Sequence, residues 1–227
     1  MSSAASRLGQ QAAARNDPTG WFEALYTEAE TGDAEVPWDR TEPNPLIVDW
    51  LAAHPIDPAG RRAVVVGCGF GKDAEHLAAL GFDTTAFDIA PTAVRTCVDR
   101  HPDTAVRYVV ADLLDLPTDW LGAFDLVVES ITVQSMPPFA RDEATAGVRS
   151  LLAPGGDLLV VSVGRPDGVE FEGPPWPLDT AELAAFATDG LRVMELERLP
   201  HAEPALHLWR VHLTRQESAQ PRDTRYS

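Results

Sequence analysis

Between Arg61 and Val163 the sequence switches repeatedly between short runs of branched apolar residues and stretches with helical spacing. This alternation constrains the fold more than any other feature. "RRAVVVG", "FDTTAFD", "AVRYVVA", "FDLVVES" and "DLLVVSV" read as strands buried in a sheet. "KDAEHLAAL" reads as a helix closed by Gly81, and "PTAVRTCVDR" as a helix opened by Pro91 with Val94, Cys97 and Val98 on one face. Ala144, Val148, Leu151 and Leu152 repeat at helical spacing within Pro138 to Leu152, and "APGG" is a turn. Asp179 to Glu182 has the pattern of a capping box before a helix that Gly190 closes. "LRVMELERL" and "ALHLWRVHL" alternate apolar and polar residues around "PHAEP", which predicts a final antiparallel pair. The expected fold is α/β: a doubly wound, mostly parallel seven-stranded sheet with helices on both faces and a closing antiparallel strand. A ligand of such a sheet sits beyond the carboxyl ends of the strands, where the strand order reverses.

A chain of 227 residues suits a single domain. Residues 1–16 hold two arginines, no acid and many Ser and Ala, and are expected to be a disordered tail. Residues 17–45 are rich in Trp, Pro and acids and predict a short helix plus a loop. The core is expected over 46–215, beginning with the helical "LIVDWLAAH", and 216–227 is expected to be a flexible tail. Lys and Arg total 18 against 35 Asp and Glu, a net charge of −17. Such a surface repels phosphate backbones, which argues against a nucleic-acid partner. No stretch approaches the roughly 18 apolar residues of a membrane helix, so no membrane partner is expected. Cys68 and Cys97 form no CxxC and have no histidine cluster nearby. No metal site is expected, and the pair reads as buried thiols of a cytoplasmic protein.

The functional signal lies in "VVVGCGFGKD". Gly67, Gly69 and Gly71 turn the chain sharply after the first strand and let a ligand approach the backbone. The spacing excludes a P-loop. A dinucleotide fingerprint needs its third glycine at the position held by Lys72. Asp88 ends the second strand, 21 residues past Gly67, close to the spacing at which a carboxylate holds a ribose diol. Asp112 ends the third strand and Glu129 the fourth. Each acid taken singly is better explained as a solvated strand end or a helix cap. Three at successive strand ends, on one edge of a sheet, point to a site.

These motifs resemble those of the class I S-adenosylmethionine-dependent methyltransferases, in order and spacing, from about Asn44 to Val163. The flanking "GWFEALY", "VPWDRTEPNPLI" and "EGPPWPLDTAEL" are similar to segments of the thiopurine and thiol/halide methyltransferases. The resemblance implies S-adenosylmethionine as cofactor, S-adenosylhomocysteine as product and a small-molecule methyl acceptor. It also implies a monomer, in which residues 17–45 form a lid. Carried over by position, Gly67, Cys68, Gly69 and Gly71 would line the methionyl part of the cofactor. Asp88 would hold the ribose with Ile89 beside the adenine, and Asp112 and Leu113 would contact the adenine. Glu129 would border the sulfonium. Ser130, Thr132 and Gln134 would border the acceptor, and Trp176 would face it. Trp21, Tyr26 and Trp38 would belong to the lid.

The segment after the fourth strand, "ESITVQSMPP", lacks the bulky aromatics of thiol/halide enzymes, which makes halide a doubtful acceptor. Methyl transfer is an in-line displacement, helped by alignment worth roughly 7–11 kcal/mol and by aromatic faces against the sulfonium cation. No clear general base appears. His201, in the turn before the last strand, is the one weak candidate, and a surface turn accounts for it better. A missing base suits acceptors already nucleophilic at neutral pH, such as thiolates. The sequence-level expectation is therefore a sulfur-directed small-molecule methyltransferase. The alternatives are an O- or N-methyltransferase or a non-enzymatic cofactor-binding protein.

Overall fold

The computed structural model describes residues 3–216. Seven strands form one sheet: β1 (Arg62–Val66), β2 (Asp83–Asp88), β3 (Arg107–Val110), β4 (Phe124–Ser130), β5 (Leu152–Gly164), β6 (Leu191–Pro200) and β7 (His207–Arg215). Their order is β3-β2-β1-β4-β5-β7-β6. Pairings among β1 to β5 are parallel, while β7 runs antiparallel between β5 and β6. The fold class expected from the alternation is the one observed. The chain moves outward from β1 to β3, then restarts on the other side of β1 at β4, so the order reverses between β1 and β4.

Seven α-helices accompany the strands: α1 (Ala4–Ala13), α2 (Gly20–Glu30), α3 (Pro45–Ala53), α4 (Lys72–Leu80), α5 (Pro91–Arg100), α6 (Arg141–Ser150) and α7 (Thr180–Ala184). One face of the sheet packs Val64, Val66, Val127, Leu158 and Val160 against α6 and α7. The other packs Ala63, Val65, Val128, Leu159 and Val161 against Ile47 and Trp50 of α3 and Ala74 and Leu77 of α4. This is the parity that strand geometry imposes, alternate residues facing opposite layers. Local chemistry sets the helix ends. Asn44 caps α3 through Leu46 N–H, and Asp179 and Glu182 form the expected capping box of α7. The helix expected over Pro138 to Leu152 begins as a single 3₁₀ turn at Pro138–Ala140 and becomes α6 only at Arg141.

The amino-terminal expectation needs correction. Within residues 1–16, the described part is not a disordered tail but carries α1, packed with α2 and the start of α5 in a third core layer. Ala5 and Ala12 bury against this layer, and Gly9 lies so close to Pro174 that a Cβ would overlap the proline ring. Of the 216–227 tail, all but Gln216 lies outside the described residues.

Candidate functional site

A cavity of about 940 Å³, mouth included, opens at the carboxyl ends of β1, β2 and β4, where the strand order reverses. Its floor is the loop Gly67–Gly71. Gly67, Gly69 and Gly71 all have φ between +54° and +83°, the left-handed region that glycine enters without strain. The cost to another residue would be compounded at Gly71, where a Cβ would overlap the Tyr108 hydroxyl. That hydroxyl donates to Glu75 Oε1 at 2.6 Å, fixing the first turn of α4. At Gly67 a Cβ would meet the Thr132 side chain, whose Oγ1 donates to the Val66 carbonyl at 2.9 Å. The exit loops of β1 and β4 are thereby locked together.

Asp88 anchors the loop from β2. Its carboxylate accepts from Gly69 N–H and Ala90 N–H, each at 3.0 Å. Burial pushes its pKa up to about 6, with the two backbone donors pulling the other way. Asp112 turns the chain after β3 by accepting from Leu114 N–H at 2.9 Å, and it lines the cavity with Leu113. The roof comes from α2 and the loop after it. Tyr26 and Trp38 line the cavity, and the Trp38 indole N–H donates to Tyr26 Oη at 2.7 Å. Phe70 meets Tyr26 edge-on at 5.2 Å between ring centroids. Asn44 joins roof to floor: its N–H donates to Asp73 and its amide to Ser130 Oγ.

Of the expected site residues, the cavity collects Tyr26, Trp38, Gly67, Cys68, Gly69, Gly71, Asp88, Ile89, Asp112, Leu113, Ser130 and Thr132. Others lie elsewhere. Trp21 is buried one layer behind, stacked on Phe22 and edge-on to Trp38. Glu129 is 1% exposed and pairs in register with Val66 and Val160 on the face opposite Val128. Its Oε1 accepts from Val133 N–H at 2.9 Å while Oε2 has no partner among the described residues, and burial pushes its pKa up to about 7. Gln134 is fully buried and accepts from Val163 N–H at 2.6 Å. Trp176 hangs from the Gln134 carbonyl through its own N–H, outside the cavity wall.

His201 also does not reach the cavity. It follows β6, four strands from β1, or about 19 Å at the spacing of neighbouring strands. Sequence reasoning missed Phe22, Arg40, Phe70 and Met136, which line the cavity. Phe22 lies inside the family-like "GWFEALY", Arg40 inside "VPWDRTEPNPLI" and Phe70 inside "VVVGCGFGKD", so each had a signal in a segment already singled out.

A reversed-order parallel sheet, a glycine loop over the first strand and acids on the next two strands define a class, the class I S-adenosylmethionine-dependent methyltransferases. Within it, the chain belongs to the thiopurine S-methyltransferase family, whose model matches residues 28–220. A curated relative, the ubiquinone biosynthesis O-methyltransferase of Xanthomonas axonopodis pv. citri, is 34% identical over 138 residues. The match covers 56% of each chain, so this chain spans about half the length of the curated relatives it matches. A solved structure from work on the conversion of a disulfide bond into a thioacetal group during echinomycin biosynthesis superposes with a TM-score of 0.69 at 22% identity. It covers 86% of this chain and 93% of that one. The Burkholderia thailandensis 1,6-didemethyltoxoflavin-N1-methyltransferase, solved with its substrate and S-adenosylhomocysteine, superposes with a TM-score of 0.65 at 20% identity. There the coverage is 92% and 91%. At these identities the two structures bear on the fold alone. Among the described residues no helix is long and apolar enough to cross a membrane.

Proposed function

We propose that the chain, as a cytoplasmic monomer, binds S-adenosylmethionine in the β1–β2–β4 cavity and transfers its methyl group to a sulfur nucleophile on a small molecule. The cavity fits the cofactor: a side chain at any of the three glycines would intrude on its floor or its neighbours, and aromatic rings supply the roof. Asp88 would hold the ribose hydroxyls, Asp112 and Leu113 the adenine, and the Gly67–Gly71 loop the methionyl chain. Bound S-adenosylmethionine supplies an electrophilic methyl on a cationic sulfur. Tyr26, Trp38 and Phe70 line the cavity, and a ring face turned to the cationic sulfur would stabilise it. Asn44 and Thr132 hold the walls rigid, so that a nucleophile near Ser130 is aligned and water excluded.

The observation that carries the sulfur reading is the chemistry of the wall. No histidine lines the cavity among the described residues, and three of its four acids, Asp73, Asp88 and Asp112, each accept from a backbone N–H, which leaves Glu42 as the one carboxylate not engaged in this way. A thiol reaches its nucleophilic thiolate close to neutral pH, whereas a phenol ionises near ~10 and gains more from a base. The second reading, transfer to oxygen or nitrogen, is favoured by the O-methyltransferase relatives. The test is incubation with methyl-labelled S-adenosylmethionine and a panel of thiols, thiopurines, phenols, catechols and aromatic amines. Label in thiols or thiopurines alone supports the sulfur reading. Label only in phenols, catechols or amines replaces it with the second.

A further inference from the structure

One turn of chain separates the cavity from a second polar cluster. Thr132, Ser135 and Met136 line the cavity, while Gln134 between them turns to the end of β5. There, Ser162 on β5 pairs with Trp209 on β7, and Gly164 with His207. All four positions share one face of the sheet, with Val160 and Val211 below them. Ser162 Oγ, Trp209 Nε1, both ring nitrogens of His207 and Gln134 Nε2 are buried with no partner among the described residues. A Cβ on Gly164 would overlap both His207 Nε2 and Trp209 Nε1, so the two nitrogens crowd into the volume of one absent side chain. Buried polar groups are nearly always satisfied, and several unsatisfied ones on adjacent residues of two strands call for an occupant.

We infer that Gln134, Ser162, His207 and Trp209 form the far end of the acceptor site and receive a carbonyl oxygen or ring nitrogen of the acceptor. This rests on the methyltransferase reading of the cavity. The donors are uncharged: burial holds the His207 pKa down, with Arg198 adding to it. They offer an indole N–H, an amide NH₂, a hydroxyl and an imidazole, a set that suits a neutral hydrogen-bond acceptor. β7 lies two strands from β4, roughly 10 Å along the carboxyl edge. That is the length of a bicyclic aromatic molecule, with its nucleophile near Ser130 and its carbonyl or ring nitrogen at Trp209. The Val133–Ser135 turn, held by Val133 N–H to Glu129 and by the Gln134 carbonyl to Trp176 N–H, stands between the two spaces, and the inference requires it to move aside when the acceptor binds.

The test has two arms. Benzamide is titrated into the protein saturated with S-adenosylhomocysteine, and the indole N–H resonances are followed by ¹⁵N NMR, with W209F assigning the Trp209 signal. A saturable shift at Trp209 is expected, and its absence overturns the inference in favour of trapped water. In turnover, 6-mercaptonaphthalene-2-carboxamide is compared with 6-isopropylnaphthalene-2-thiol. The wild type is expected to show the lower KM for the amide, and this preference to fall about tenfold in S162A and W209F. Equal KM changes for both thiols would mean a merely structural role and overturn it. If neither thiol is methylated while benzamide still shifts Trp209, the sulfur reading fails and the subsite stands.

Discussion

Glu129 gives the sharpest quantitative prediction. Its carboxyl is buried with one oxygen unpartnered, and its pKa rises from the ordinary 4.5 to about 7 through loss of hydration, the Val133 and Thr132 backbone donors opposing. An acid that holds its proton more tightly when folded costs stability once the unfolded chain can ionise. Stability is therefore intact below about pH 4.5, falls as pH rises towards 7, and is flat beyond. A factor of ten in proton affinity is about 1.4 kcal/mol, so the full cost is about 3 kcal/mol. Glu129→Gln keeps an oxygen for Val133 N–H and mimics the protonated acid. It should gain under about 1 kcal/mol at pH 5 and about 3 kcal/mol at pH 8.5. Urea unfolding of both proteins at half-unit steps across that range measures the gap. Parallel curves would refute the reasoning, because the gap must widen with pH if Glu129 is buried as described.

Asp88→Asn should weaken S-adenosylhomocysteine binding at least tenfold by calorimetry. In the wild type, affinity should fall as pH drops through about 6, where the Asp88 carboxylate takes up its proton, and the variant should lose that dependence. Gly71→Ala forces a Cβ against Tyr108 at φ +83° and should cost about 2 kcal/mol of stability and most cofactor affinity. Gly71→Ala combined with Tyr108→Phe, which removes the overlapping hydroxyl, should recover part of the loss in the same unfolding assay. Asn44→Ala removes the α3 cap and the Ser130 contact and should lower stability by about 1–2 kcal/mol, read from the urea midpoint.

The sheet was legible because buried parallel strands announce themselves as branched apolar runs. α1 was not, because its buried positions are Ala5, Gly9 and Ala12. Small residues bury by letting neighbours come close, which leaves little hydrophobic signal. The glycine loop, Asp88 and Asp112 were readable from their places at strand ends. Glu129 was misplaced for a definite reason. Glu129 and Ser130 are consecutive on β4, so their side chains must leave opposite faces; Ser130 lines the cavity and Glu129 does not. Trp21 and Trp176 lay in family-like segments and Gln134 in the one that departs from the family, but sequence does not say which member of an aromatic or polar pair stands in front.

The contact between Gly9 and Pro174 bears on the order of events in catalysis. It couples the covering helices to the chain that follows β5. The proposed cofactor floor at Gly67–Gly71 and the proposed acceptor position at Ser130 line one cavity. An acceptor seated first would obstruct the cofactor beneath it. Steady-state kinetics should therefore be sequential and ordered, with the cofactor entering first and S-adenosylhomocysteine leaving last. S-adenosylhomocysteine should compete with the cofactor but not with the acceptor.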